Sequence, residues 1–269
     1  MFDALAGGID VTWTMVLWLL AAGVLAGWID AVVGGGGLIQ LPALLLVPGM
    51  SPVQAVATNK IGSIAGTTAS AITYLRTITP DRSATIPAAA SAFLGAVLGA
   101  KLATLVPAEA FTPIILVALI GVGIFTVLNP SLGADATLRF GETSKRHHAL
   151  SWLIGFVIGI YDGVLGPGTG SFLVIAFVSI IGFSFLQASA TAKVINWATN
   201  FGALVYFIPD GQVVWLLGVI VAIGNVTGGI FGARTALARG SGFVRVIFVI
   251  VVSVLILKLG FDVIATLIH

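Results

Sequence analysis

The chain has 269 residues, of which 58 % are apolar and 8 % charged, against roughly 45–50 % and 25 % in an average soluble domain. That composition leaves too little polar surface for a soluble globule, and the absence of cysteine excludes disulfides, thiol catalysis and thiolate metal sites. The formal net charge of +2 is explained by the lysines and arginines that fix membrane topology, with no nucleic-acid partner required.

The amino end, Met1 to Asp10, carries acids where a signal peptide needs a positive n-region, so the first apolar segment is expected to stay in the mature protein. Crossing ~30 Å of hydrocarbon takes about 20 helical residues. Runs of that order extend from Trp13 to Val33, Val53 to Leu75, Ala84 to Val106, Phe111 to Leu128, Ala149 to Leu165, Leu186 to Ile208, Val213 to Ala233 and Phe243 to Leu267. None alternates as the strands of a membrane barrel do. The fold class is therefore all-α, a polytopic, multi-pass helical protein with the lipid bilayer as a partner. Two shorter runs, Leu38 to Val47 and Phe172 to Ile181, each follow a glycine-rich turn and are too short to span at ~1.5 Å per residue. They read as broken or re-entrant segments, which membrane depth tolerates only where protein or a wet cavity surrounds them.

The sequence is also duplicated. Gly23, Gly27, Asp30, Gly34 and Gly36 match Gly155, Gly159, Asp162, Gly166 and Gly168 at an offset of 132, and after one inserted residue Ala57-Thr58-Asn59-Lys60 matches Ala190-Thr191-Ala192-Lys193 at 133. Residues 11–130 are the first transmembrane repeat, 131–148 a connecting cytoplasmic loop and 149–267 the second repeat. Arg76 and Arg82, then Arg139, Lys145 and Arg146, then Arg234, Arg239 and Arg245 are assigned to the cytoplasm, while the turns at Pro107 and Pro209 carry no Lys or Arg. Equivalent loops then face opposite sides, the mark of an inverted repeat.

Asp30 and Asp162 each end an apolar stretch, where a carboxylate costs at least ~2.5 kcal/mol by insertion scales. Their recurrence favours titration during transport, or pinning of the glycine loop, over a place among lipid headgroups. The clusters Gly34 to Gly37 and Gly166 to Gly170 free backbone N–H groups to face an anion, with Leu38 and Phe172 opening helices that add positive dipole. Lys60 and Lys193 lie about two turns inside their segments. Each can snorkel, bridge to Asp30 or Asp162, or serve as the fixed cation for an anionic substrate. The polar stripe that continues through Ser63, Thr67 and Ser70, and through Asn196 and Asn200, favours the last.

The expected substrate shell is Lys60, Lys193, Thr58, Asn59, Thr191 and Asn196 with the amides around Gly35, Gly36, Gly37, Gly168, Thr169 and Gly170, and Asp30 or Asp162 carries the coupling proton. Lys101 and Arg234 read as interfacial anchors. His147, His148 and His269 fall in the central loop and at the chain end, so no metal site is expected. No hydrolase or nucleotide-binding motif is present, so the chain is expected to be no enzyme, to need no cofactor and to be driven by ion gradients.

The motifs IDAVVGGGGLIQLPALLL and YDGVLGPGTGSFLVIAFV, each followed by Ala-Thr-x-Lys, resemble those of the TauE/SafE sulfite exporters, also called TSUP transporters. The resemblance covers nearly the whole chain. It implies a secondary transporter of the bacterial inner membrane that exports small sulfur-containing anions such as sulfite, sulfoacetate or other sulfonates. A passive anion channel for small oxyanions is the alternative, and a membrane scaffold or receptor a further one. Pro167 and Thr169 replace glycines of the first copy, so the two half-sites need not bind equally.

Overall fold

A computed structural model describes residues 7–105, 107, 138–141 and 144–268, and every regular element among them is helical. In chain order these are α1 (Trp13–Val33), α2 (Gly37–Leu45), α3 (Pro52–Leu75), α4 (Arg82–Ala103), α5 (Lys145–Val164), α6 (Thr169–Ala176), α7 (Phe185–Phe207) and α8 (Trp215–Ile268). A π turn, Phe177–Ile181, continues α6, and α8 breaks at Gly240, where φ is 76° and ψ is −176°. The expected span Phe111 to Leu128 and half of the central loop lie outside the described residues. Trp13–Val33, Arg82–Ala103 and Trp215–Val251 are each long and apolar enough to cross a membrane. Helices α3 and α7 are of similar length but carry the polar stripes, which their neighbours cover.

Local chemistry sets the helix ends. Thr12 caps α1 by accepting from the Met15 amide, and Gly34, at φ 82°, stops it in the left-handed conformation glycine adopts freely. Ser51 and Gln54 form a capping box at the start of α3, and Ser184 and Gln187 form the same box at the start of α7. Helix α5 begins at Lys145 instead of near Ala149, because Ser144 caps it by accepting from the Arg146 amide. His147 therefore sits in its first turn, fully buried, and not in a loop.

Two apolar clusters occupy opposite ends of the bundle. One gathers Ala31 to Val33, Tyr74, Ala84, Ala88, Phe177, Phe185, Ala233 and Phe248. The other gathers Leu19, Ala22, Leu44, Val47, Ala55, Ala103, Phe207, Leu217 and Val221. Helices α1, α3 and the first part of α8 run from the second cluster to the first, and α4 and α7 run from the first to the second. Helix α2 turns back to the second cluster, where α1 began, and α6 turns back to the first through Leu173 and Phe177. Both short segments are thus re-entrant.

Glycines allow the closest helix contacts, and these join one copy to the other. A Cβ on Gly27 of α1 would stand 2.8 Å from the Asn225 Cα of α8, and a Cβ on Gly159 of α5 would stand 2.8 Å from the Ala92 Cα of α4. The same backbone approach recurs at Gly23 and Gly155, and on the facing helices at Gly228 and Gly95. Each first helix of one copy lies against the last described long helix of the other.

Candidate functional site

The buried charges meet across the copies. The Lys60 ammonium of α3 donates to the Asp162 carboxylate at 2.8 Å and to the Asp162 backbone carbonyl at 2.6 Å. Lys193 of α7 makes the equivalent bridge, donating to the Asp30 carboxylate at 2.7 Å and to the Asp30 carbonyl. Each ammonium thus rests on the last turn of a helix, where unsatisfied carbonyls add negative potential to that of the carboxylate. The two lysine side chains and Asp162 are 1–3 % exposed, and Asp30 is 14 % exposed. The half-sites are alike in pairing and unequal in access.

The two glycine loops cross between these bridges. The Ser171 amide donates to the Gly34 carbonyl at 3.1 Å, and the Ser171 hydroxyl donates to the Val33 carbonyl at 2.8 Å. A Cβ on Gly34 or on Gly170 would fall on the other loop's backbone. Only residues without side chains fit at this crossing. The Leu38, Thr169 and Ser171 amides already have backbone partners, the Gly35, Gly166 and Gly34 carbonyls, which confines an anion cradle to the remaining loop amides.

A small polar cavity lies beside the crossing. It is lined by Asp30, Gly34, Gly37, Asn59, Lys60, Ser63, Asp162, Gly166, Thr169, Gly170, Asn196 and Asn200, and its volume of about 10 Å³ accommodates about one water centre. Of the residues expected from the sequence, Asp30, Asp162, Lys60, Asn59, Asn196, Gly37, Thr169 and Gly170 line it, and Lys193 reaches it through Asp30. Thr58, Thr191, Gly35, Gly36 and Gly168 do not line it. The Thr58 hydroxyl accepts from the Val214 amide just before α8, at 3.0 Å. The Asn59 side-chain oxygen and the Thr191 hydroxyl are buried without a partner among the described residues.

One polar bridge has no counterpart in the other copy. Gln40 of α2 donates to the Asn59 carbonyl at 3.0 Å and accepts from the Asn225 amide of α8, and both side chains are buried. The equivalent positions hold apolar Phe172 or Leu173 and Ala92. The duplication does not mark such a pair, because each residue occurs in one copy alone. Its one signal is a glutamine and an asparagine alone in apolar runs. Among the described residues no group of acids and histidines could hold a metal ion.

Comparison with known proteins now bears on this arrangement. The family model described as sulfite exporter TauE/SafE matches residues 19–259. The chain belongs to the TauE/SafE sulfite exporter family. It is 35 % identical to a Sinorhizobium protein named probable membrane transporter protein ORF9, with 94 % of this chain and 95 % of that one covered. It is also 35 % identical to the probable membrane transporter protein YfcA of Escherichia coli K12, covering 91 % and 89 %, and 31 % identical to a probable membrane transporter protein of Haemophilus influenzae, covering 94 % and 97 %. No solved structure gives a significant match. As a member of the TauE/SafE family the chain is a multi-pass membrane transporter, and the crossed bridges lie within its bundle.

Proposed function

We propose that the protein is a secondary transporter that exports a small sulfur-containing anion, such as sulfite or the sulfonate sulfoacetate, by alternating access coupled to protons. The observation that carries this reading is the pair of crossed, buried Lys–Asp bridges beside a polar cavity. An oxyanion and a carboxylate compete for the same ammonium N–H groups, because both offer charged oxygens to a charged donor. Protonation of Asp30 or Asp162 removes that competitor and leaves the ammonium to the anion. Asn59 and Asn196 then replace hydration lost on entry, with the unpaired glycine-loop amides, and an Asn59 amide turned end for end presents its N–H groups. The cavity is smaller than such an anion, so binding has to part at least one bridge.

The helix directions support reading the copies as inverted repeats. Residues 133 apart fall in opposite clusters: Ala55 with Ala188, Tyr74 with Phe207, Ala84 with Leu217 and Ala100 with Ala233. An exchange of that kind is how inverted-repeat carriers open to each side in turn around a central site. Apolar packing on both sides of the cavity favours this over a standing anion channel. Counterflow of radiolabelled sulfite and sulfoacetate in proteoliposomes is the test. Uptake driven by unlabelled anion inside is the expected result, and a failure to exchange any sulfur oxyanion removes the substrate assignment.

A further inference from the structure

We infer that transport is electroneutral, each negative charge of the anion crossing with one proton, because the bridged site has no net charge to give. This rests on the transport reading above and adds its stoichiometry. Among the described residues the charged groups at the cavity are Asp30, Lys60 and Asp162, with Lys193 joined to it through Asp30, two of each sign in crossed pairs. The packed elements contribute neutral groups around them. Tyr74 of α3 donates its hydroxyl to the Ala31 carbonyl, and Tyr161 of α5 donates to the Pro167 carbonyl. Helix α2 brings Gln40, α6 brings Thr169 and Ser171, and the first part of α8 brings Asn225, while Lys101 of α4 and Arg234 of α8 are exposed on the surface of the bundle. Beyond the Gly240 break, Arg245 stands next to Val244 in the first cluster, and His147 lies against Asp81 at that same end.

An anion added to this neutral site leaves one uncompensated charge in a weakly polarisable interior, which is the arrangement proteins avoid most strongly. A proton from the aqueous side added to the Asp162 carboxylate restores the balance. The carboxylate becomes a neutral acid, Lys60 remains an ammonium, and an anion oxygen takes the N–H that the carboxylate gave up. The site is neutral before and after. A dianion engages both lysines, so Asp30 takes a second proton. When the anion leaves, the bridges re-form and the empty carrier is again neutral, so neither half of the cycle moves net charge through the membrane.

The test uses proteoliposomes holding the intact protein, with methanesulfonate as monoanion and sulfoacetate as dianion, both radiolabelled. One set carries a pH gradient with the potential clamped at zero, and the other a clamped potential with no pH gradient. The expected accumulation per pH unit is about tenfold for the monoanion and about a hundredfold for the dianion, one pH unit being a tenfold factor for each proton. A clamped potential leaves both unchanged. Accumulation that follows the potential overturns the inference while leaving the transport reading in place. Absence of counterflow for both anions and for sulfite removes the transport reading, and the inference with it. Asp162→Asn removes one proton site, so any flux it retains should lose one tenfold step and become responsive to potential. Retained flux with the full pH dependence overturns the inference.

Discussion

Lys60 and Asp162 stand 102 residues apart in the chain and 2.8 Å apart in the fold, and Lys193 and Asp30 repeat the bridge at 2.7 Å across 163 residues. Such a pair fastens one copy of the repeat to the other. Removing one partner leaves the other buried and uncompensated, which typically costs about 3–5 kcal/mol, whereas removing both together costs far less. Lys60→Met should therefore lower the thermal unfolding midpoint in detergent strongly, and Lys60→Met with Asp162→Leu should recover most of the loss. Lys193→Met should be milder, because Asp30 keeps 14 % of its side chain exposed and retains some hydration. A double variant as unstable as the single would show that the bridge is not the source of the loss.

The helix crossings between copies predict a different pattern for glycine replacement. At Gly159 and Gly27 a Cβ meets the backbone of the facing helix, at Ala92 and Asn225, which cannot rotate away. Gly159→Ala and Gly27→Ala should each cost about 1–3 kcal/mol as overpacking, despite the gain in helix propensity. Gly242→Ala, where nothing lies within 4 Å, should be neutral or slightly stabilising. Unfolding of the three purified variants measures this, and equal stabilities would contradict the close packing.

The helices were legible because apolar run length and caps are local properties, and α1 matches its expected bounds, Trp13 to Val33. The polar stripes were legible through helical spacing. What spacing along one helix does not reveal is the partner. Lys60 has Asp30 nearer in sequence and Asp162 nearer in space, and the choice comes from α1 and α5 crossing to the other copy's helices. Thr58 shows the same limit at a smaller scale. It shares the Ala-Thr-x-Lys motif with Thr191, yet its hydroxyl is taken by the Val214 amide, an N–H left without a helical partner before α8. Gln40 and Asn225 escaped because duplication highlights what is shared, and this bridge exists once.

Acidification should weaken the junction between α4 and α5. Burial works against the charge of Asp81, but the Ser83 hydroxyl and amide, and then His147 at 2.8 Å, outweigh it and hold the carboxyl below the usual 3.8. A carboxylate more acidic in the folded than in the unfolded chain stabilises the fold above its unfolded value and loses that contribution as pH falls through its folded value. The loss therefore begins as pH drops below the usual 3.8. Over that interval the parent should lose more stability than Asp81→Asn, in melting curves recorded from about pH 5 downward. At neutral pH Asp81→Ala should cost about 1 kcal/mol, since Asp81 is the N-cap of α4. Parallel melting curves for parent and Asp81→Asn would contradict the assignment.

The sidedness of the two copies is open to direct labelling, because the chain has no cysteine to interfere. Arg76 follows α3 at the end of the bundle where Tyr74 joins the first cluster, and Asp210 follows α7 at the end where Phe207 joins the second. Tyr74 and Phe207 are equivalent residues of the duplication, so an inverted arrangement places the two turns on opposite faces of the membrane. The basic turn at Arg76 is expected in the cytoplasm and the Pro209 to Gln212 turn outside. A cysteine at Arg76 should react with a membrane-impermeant maleimide only in inside-out vesicles, and one at Asp210 only in intact spheroplasts. Labelling of both from the same side would defeat the inversion and, with it, the alternating-access reading built on it. A cysteine at Gly211, next to Asp210 in the exposed turn, gives an independent check and should follow Asp210.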